Sequence, residues 1–463
     1  VDYDRLDAIE EARKDFGVMA RHYRYLLEKT LSSPMTGDGE VTKEALQELI
    51  GLVDWLMVLT GASNVLHNGI DVGGVEIDDA YIPTVFYSQG SDDRETTFAR
   101  EYARIRLGQG ANKQDAVEGE SEELLSSEPL KRAFIADVGF DLDTLIVALT
   151  VLSQAQRHGF ASELSLSYTA TPSHVAQGLV DSIDDLDLVD AEKIVAFLTL
   201  SDSGIRRLAE KDVDEGDVPY WEHNKRIHRY TIRPLVRDGE NLRWGAETAS
   251  RAMNLWMSTV RDGYLPADFG WQHVEPVIRG VKESIEKRLE HRTEEIFLRH
   301  TPYVWRGIDF FKRFRKEGFE DVGDFDVLAY WPETNVIATV ECKYNQPPFT
   351  VKDGRRLRDR IFGKAEDDKA GQFSRILRRR QFLEKHRSRM LELLEWPQSS
   401  VEVCEDVELY VSRDLYYWMV HTPYPVSTRF VQVDTLDTWI KTELLGVGQP
   451  DVEEATGRKT GSS

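Results

Sequence analysis

The C-terminal half of this chain contains two apolar segments that carry charge at one end, Gly323-Asp324-Phe325-Asp326-Val327-Leu328-Ala329-Tyr330 and Val336-Ile337-Ala338-Thr339-Val340-Glu341-Cys342-Lys343. The five residues between them, 331–335, include Pro332 and Asn335, which are typical of turns. The pattern predicts two short buried strands joined by a turn. In such a hairpin, the charged residues that begin the first strand lie beside those that end the second.

Two carboxylates and one ammonium therefore meet at one end of the predicted hairpin. Asp326 precedes Glu341 by fifteen residues, and Lys343 follows two residues later. A buried charge is costly unless it is paired or bound to a metal. Carboxylate oxygens suit Mg²⁺ or Mn²⁺, which would polarise a phosphodiester while Lys343 orients or deprotonates the attacking water. The alternative is an ordinary hairpin with an ion pair between Glu341 and Lys343, because residues two apart share a strand face.

This arrangement resembles the PD-(D/E)xK nuclease superfamily, and its Mrr-like branch in particular, over about residues 285–440. Asp326 matches the first acid of the motif, Glu341 the second and Lys343 the lysine, while Phe325 stands where the motif has proline. The resemblance implies an α/β domain with the restriction-endonuclease-like fold, a central mixed sheet flanked by helices. It also implies Mg²⁺ or Mn²⁺ held by Asp326, Glu341 and the backbone carbonyl of Cys342, in an enzyme that hydrolyses phosphodiester bonds.

The segment before the motif supplies a further acidic candidate. Apolar spacing predicts a helix over residues 274–299. The resemblance implies an acid on this helix that helps to hold the metal. Of Glu294 and Glu295 we prefer Glu295, which borders Ile296 and Phe297. A solvated acid on a highly charged helix is the alternative.

The segment after the motif is basic. Residues 352–390 contain 14 Lys or Arg residues against 6 Asp or Glu residues, although the whole chain has a net charge of −23. A positive surface beside an acid-lined metal centre favours contact with a phosphate backbone, and a solvated arginine-rich helix is the alternative. Gln372 opens an amphipathic helix here, and the resemblance implies that it touches the site or the nucleic acid. The arginines expected to contact nucleic acid are Arg355, Arg356, Arg358, Arg375, Arg378 and Arg379.

The length of 463 residues predicts two or three domains. We expect a large, mostly α-helical region at 1–270 with a linker near 109–123, a nuclease domain at 271–445 and a disordered tail at 446–463. The helical region is expected to regulate, sense or oligomerise, as a homo-oligomer or with a partner protein. It contains no GxxxxGK[ST] phosphate loop, so the sequence predicts no P-loop motor in this chain.

Cysteine content and hydropathy indicate the cellular compartment. Two cysteines, Cys342 and Cys404, are too few for a disulfide framework or a zinc cluster. Cys342 alternates with Glu341 and Lys343 along the predicted strand, so its side chain is expected in the core. We find no secretory signal and no apolar run of transmembrane length, which predicts a cytoplasmic protein with no membrane partner.

The expected function is that of a Mg²⁺-dependent DNA endonuclease in defence against foreign DNA, the setting that the resemblance implies. Three alternatives stay open: a DNA-repair nuclease, an enzyme acting on RNA, and a non-catalytic nucleic-acid-binding or scaffold protein with a nuclease-like fold. A scaffold needs no divalent ion, so metal dependence separates it from the nucleases.

Overall fold

The computed structural model describes residues 19–33, 37, 39–70, 73–87, 127–160, 167–205, 207–208, 211–214, 226–348, 351–364, 371–402 and 405–446. The chain divides into two compact units, whose described residues lie within 19–282 and 283–446. The division falls inside a long helix, Val274–Leu298, and lies C-terminal to the boundary at 270/271 expected from sequence. The linker near 109–123, residues 447–463 of the tail and Cys404 lie outside the described residues.

The first unit is mostly helical. Its described strands pair as β1 with β2, as β3-β8-β7-β4 and as β5 with β6. The strands are β1 (Gly73–Ile77), β2 (Pro83–Tyr87), β3 (Tyr168–Ala170), β4 (Thr199–Leu200), β5 (Arg207–Leu208), β6 (Lys211–Asp214), β7 (Leu235–Asp238) and β8 (Asn241–Trp244). The helices span 19–32, Lys43–His67, Glu128–Val138, Leu142–Ser153, Pro172–Val180, Leu188–Leu198, Asp202–Ile205 and Ala246–Arg261.

Residues 142–261 place two adjacent helices next to a β-hairpin. β7 and β8 form a hairpin whose turn contains Gly239, with a φ of +57°, and β8 also pairs with β3. Along the chain, the helix Leu142–Ser153 is followed by β3, by two adjacent helices and, after further short elements, by the hairpin β7-β8. The second of the adjacent helices, Leu188–Leu198, is preceded by exposed acids, which disfavour contact with phosphate. The exposed acids of this surface include Asp184, Asp185, Asp187 and Glu192.

The second unit is built on a five-stranded mixed sheet in the order β13-β12-β11-β10-β9. β9, β10 and β11 are antiparallel neighbours, whereas β11, β12 and β13 run parallel. The strands are β9 (Tyr303–Ile308), β10 (Phe325–Trp331), β11 (Val336–Cys342), β12 (Val407–Ser412) and β13 (Arg429–Gln432). Besides Val274–Leu298, the helical segments are Phe310–Arg313, Arg315–Glu317, Val351–Phe362, Gln372–Leu393, Tyr417–Val420, Val433–Thr435, Leu436–Trp439 and Ile440–Leu444.

The predicted hairpin is confirmed as β10 and β11. Val327 lies opposite Val340, and Trp331 lies opposite Val336 at the turn. Asn335 closes the turn with a φ of +52°, a conformation that asparagine tolerates better than most residues. Its side-chain amide also donates a hydrogen bond of 2.8 Å to the carbonyl of Val401. The turn is therefore tied to the chain that leads into β12.

Helices cover both faces of this sheet, so the unit is a mixed α/β layer structure. Burial on both faces explains why β10 and β11 read as continuous apolar runs rather than as alternating ones. Cys342 is buried in one of the two layers, as expected from its alternation with Glu341. One layer contains Leu289, Phe297, Val327, Val340, Cys342 and Leu409; the other contains Leu328, Tyr330, Ile337, Phe382, Leu383 and Met390.

Among the described helices, Lys43–His67 is long and apolar enough to cross a membrane, judged by length and composition. It has 25 residues, so the expectation from sequence that the chain has no apolar run of transmembrane length was wrong. The core helix of a soluble protein passes the same test, and a single helix of this kind is weak evidence for a membrane span.

Replacing Leu409 of β12 with Ala should destabilise the sheet by about 2–5 kcal/mol, because Leu409 is fully buried and lies next to Val340 of β11. Hydrogen exchange of β10 and β11 peptides at increasing urea concentration measures the free energy of opening. Leu377→Ala is the control: this leucine is 46% exposed, and its loss should change stability by less than about 0.5 kcal/mol. Equal exchange in the two variants would contradict the packing described above.

Candidate active site

The antiparallel register brings Asp326 and Glu341 side by side. They lie immediately beyond the paired residues Val327 and Val340, at the end of the hairpin opposite its turn. Both carboxylates are buried, with 5% and 4% of each residue exposed. Burying two negative charges together is unfavourable unless a cation compensates them.

Lys343 supplies that cation. Its Nζ lies 2.9 Å from Asp326 Oδ2, 2.9 Å from Glu341 Oε1 and 3.1 Å from the carbonyl oxygen of Cys342. The backbone of Lys343 is held in turn, because its N–H donates a 3.0 Å hydrogen bond to the carbonyl of Val411 on β12. The structure thus brings together the three residues singled out in the sequence, around one positively charged atom.

The backbone also holds Asp326. Its Oδ2 accepts a hydrogen bond of 2.7 Å from the N–H of Cys342 as well as the one from Lys343. Its Oδ1 accepts no hydrogen bond from the residues that the structure describes. One carboxylate oxygen of Asp326 is therefore fixed while the other is left for a further donor or ligand.

Arg379 binds the second oxygen of Glu341. The guanidinium reaches Glu341 Oε2 from the helix Gln372–Leu393, and its Cζ lies 5.8 Å from the centre of the Phe325 ring. Arg379 was expected on a nucleic-acid surface, but only 7% of it is exposed. It follows Ile376 by three residues and precedes Leu383 by four, so it lies on the buried face of the helix.

The two carboxyl groups have pKa values displaced in opposite directions. Burial raises the pKa of Asp326, and the neighbouring Glu341 raises it further, to about 7, against the opposing effect of Lys343. Burial also disfavours the charged form of Glu341, but Lys343 and Arg379 outweigh it and hold the pKa of Glu341 below its ordinary value. Glu341 is consequently the permanent anion of the pair.

Lys343 is held in its charged form. Burial alone would lower the pKa of Lys343, but Glu341 and Asp326 raise it well above its ordinary value. An ammonium donates hydrogen bonds and attracts negative charge, whereas it cannot remove a proton from water. Of the two roles expected for Lys343, orienting water and stabilising charge suits this arrangement, and deprotonation does not.

The donor set around Lys343 Nζ is suited to a hard cation. Three oxygens, from Asp326, Glu341 and the carbonyl of Cys342, converge on one point within 3.1 Å. Carboxylate and carbonyl oxygens are the ligands of Mg²⁺ and Mn²⁺. No cluster of three or more His, Cys, Asp or Glu side chains close enough for a metal occurs in the described part of the chain. The set therefore has two acidic side chains and one backbone oxygen, with the Lys343 ammonium between them.

Glu290 is an acid of the preceding helix that interacts electrostatically with this site, and the sequence did not single it out. Burial raises the pKa of Glu290, and its charge interacts with Lys343 and with Asp324. Glu294 instead binds Arg306 at 2.7 Å, and Glu295 is exposed, with His291 at 3.4 Å. The structure does not bring Glu295 to the other three residues.

The signal for Glu290 was helical spacing rather than sequence adjacency. Glu290 precedes Thr293 by three residues and Phe297 by seven, so the three share one face of the helix. Thr293 and Phe297 are both fully buried. Glu295 was preferred because it borders Ile296 and Phe297 in sequence, but consecutive helical residues point in different directions.

Gln372 lies at the start of its helix and binds Tyr410 rather than the charged residues. The Tyr410 hydroxyl donates to Gln372 Oε1 at 2.9 Å and accepts from Asn345 Nδ2 at 2.9 Å. Tyr410 occupies the position on β12 next to Glu341 on β11. Gln372 therefore contacts the strand neighbour of Glu341 and not Glu341 itself.

The remaining arginines of the predicted nucleic-acid surface divide into paired and unpaired ones. Arg375 and Arg378 are exposed and form no ion pair with any residue in the ranges that the structure describes. The others have carboxylates on their own helix as partners: Asp359 for Arg355 and Arg358, and Asp353 for Arg356.

Comparison of the chain with models of known protein families, with curated proteins and with solved structures found no match. Inference about function therefore depends on the arrangement of the residues themselves.

The stability of Asp326→Asn relative to wild type should increase as the pH rises from about 4 to about 7. The folded state holds a proton on Asp326 that the unfolded state releases near pH 4, so wild-type stability falls across this interval. The asparagine side chain does not titrate. The free energy of unfolding of the variant minus that of wild type should therefore increase by up to about a few kcal/mol across this interval. Urea unfolding at pH 4.5, 5.5, 6.5 and 7.5 measures this difference.

Asp324→Asn is the control, because Asp324 is exposed two residues away on the same segment. A pH-dependent difference of the same size in both variants would show that the burial of Asp326 is not its cause.

Proposed function

We propose that the second unit is a divalent-metal-dependent nuclease that hydrolyses phosphodiester bonds, with DNA as the expected substrate. The observation that carries the proposal is the convergence of Asp326, Glu341 and Lys343 on one point lined by oxygens. The mixed sheet with helices on both faces is compatible with the restriction-endonuclease-like fold implied by the PD-(D/E)xK resemblance. We infer that the unit has this fold.

In this proposal Asp326, Glu341 and the carbonyl of Cys342 hold Mg²⁺ or Mn²⁺. The ion, when bound, supplies Lewis-acid polarisation of the phosphodiester and a lower pKa for bound water. With the ion bound, Lys343 would donate to the oxygens on which negative charge develops instead of to the two carboxylates. A quarter of its side chain is exposed, which supports such a change of partners. Glu290 on the preceding helix interacts electrostatically with Lys343 and would add negative charge near the ion.

The exposed arginines support contact with a nucleic-acid backbone. Arg375 and Arg378 lie near the start of the helix Gln372–Leu393, which also carries Arg379. A phosphate bound to them would lie on the helix that contacts Glu341 through Arg379. Charge contacts of this kind bind the backbone without reading the bases. We propose DNA first and RNA as the competing substrate.

The biological setting follows from the resemblance. We propose defence against foreign DNA by a cytoplasmic protein, with DNA repair as the competing setting. The first unit would regulate, sense or oligomerise, through a second copy or a partner protein. The exposed acids around its helix Leu188–Leu198 favour a protein partner over nucleic acid at that surface.

A non-catalytic scaffold is the second candidate, and one observation favours it. Both oxygens of Glu341 are already bound by cations, as in a purely structural ion-pair network. A scaffold requires no divalent ion, so metal binding separates the two candidates.

Asp326→Ala should remove metal binding and lower cleavage at least about 100-fold, since a metal-bound water is the proposed nucleophile. Lys343→Ala should lower cleavage about 10²–10³-fold while still binding the ion, because it removes a donor to the developing charge. Cleavage of supercoiled, linear duplex and single-stranded DNA, and of RNA, with Mg²⁺ or Mn²⁺ measures both effects.

Glu333→Ala is the matched control, because Glu333 is an exposed carboxylate at the opposite end of the same hairpin and should leave cleavage unchanged. Cutting at the wild-type rate by Asp326→Ala would rule out the assignment. Absence of both cutting and metal binding in the wild type would favour the scaffold.

Replacing Arg375 and Arg378 together with Ala should weaken DNA binding and make its salt dependence shallower. Each phosphate contact contributes about −0.9 to the slope of log K against log salt. Loss of two contacts should therefore make the slope less negative by about 2. Fluorescence anisotropy of a labelled duplex over a KCl series measures it. Arg389→Ala is the control, because Arg389 is bound to Glu317 and Glu392. An unchanged slope in the double variant would place the phosphate contacts elsewhere.

A further inference from the structure

Arg379 is enclosed on several sides. It binds Glu341 Oε2, and its Cζ lies 5.8 Å from the centre of the Phe325 ring. A Cβ at Gly323, whose φ is +79°, would lie 3.5 Å from Arg379 Nη2. The chain that leads to Asp326 therefore passes directly over this guanidinium. Arg379 is a built part of the site and not a surface side chain that happens to reach it.

The charges at this point balance when both carboxyl groups are ionised. Asp326 and Glu341 contribute two carboxylates, and Lys343 and Arg379 contribute two cations that contact them directly. Lys343 follows the end of its strand and has a quarter of its side chain exposed, whereas 9% of the Arg379 side chain is exposed. Lys343 is therefore the more accessible of the two cations, and Arg379 is the more enclosed one.

We propose that Arg379 is a positioning residue that fixes Glu341 and, as a permanent cation, keeps the affinity of the free site for divalent metal low. This inference rests on the proposed function, because it concerns the same ion. A second fixed positive charge within contact of a ligand repels an incoming divalent ion, and the effect is strong where water is largely excluded. Weak metal binding in the free protein then follows from the fold of the Gln372–Leu393 helix and not from a poor set of ligands.

Titration of Mn²⁺ into the full chain, followed by calorimetry without nucleic acid, tests this inference independently of cleavage. Arg379→Met, which removes the charge while keeping most of the side chain, should bind Mn²⁺ about tenfold more tightly than wild type. Arg389→Met is the matched control: it removes an exposed charge from the same helix and should leave the dissociation constant within about twofold.

Two further variants keep the test decisive. Arg379→Gln loses the charge but keeps a donor for Glu341, so it should bind Mn²⁺ as tightly as Arg379→Met and decides the matter if the methionine variant does not fold. Arg379→Lys keeps the charge and should stay near wild type. Equal or weaker binding by folded Arg379→Gln overturns the role of Arg379 while leaving the nuclease proposal intact. If wild type and all variants bind no metal, the nuclease proposal fails together with this inference.

Discussion

The ion network around Lys343 is the interaction on which the rest of the second unit depends. Two carboxylates buried at the end of one hairpin repel each other, and each has lost its hydration. The ammonium of Lys343 contacts both, and Arg379 compensates the remaining oxygen of Glu341. Removing one member of such a network leaves an uncompensated buried charge, which is strongly destabilising. The elements that carry these residues are therefore constrained to meet at one place.

This constraint links distant parts of the chain. Asp326 and Lys343 come from the ends of the hairpin, whereas Arg379 comes from a helix that begins thirty residues after β11. The same helix packs Phe382, Leu383 and Met390 against the sheet, so its register is set by apolar contact as well as by charge. Apolar packing supplies the stability, and the ion pairs select one arrangement of these elements. The candidate site thus lies where the core and the charged network join.

The sequence was sufficient for the hairpin but not for the helices around it. Two apolar runs separated by a turn rich in polar residues have few alternative structures, and β10 and β11 follow them closely. Glu290 was missed, and Arg379 was assigned to a nucleic-acid surface, because each belongs to a charged helix in which many residues of the same type compete. Only the face that packs on the sheet distinguishes Arg379 from Arg378, or Glu290 from Glu295, and spacing alone indicates it weakly.

What the sequence determined by itself is local: a buried hairpin ending in Asp326, Glu341 and Lys343, whose meeting follows from antiparallel pairing. The tertiary structure decided which residues surround these three and which charges they carry. Packing both faces of the sheet excludes water, and this exclusion displaces the pKa of Asp326 upward. It also turns Arg379 inward, away from the surface where its neighbours Arg375 and Arg378 stay exposed. Desolvation depends on everything that packs around a residue, and for this reason no local sequence pattern predicts it.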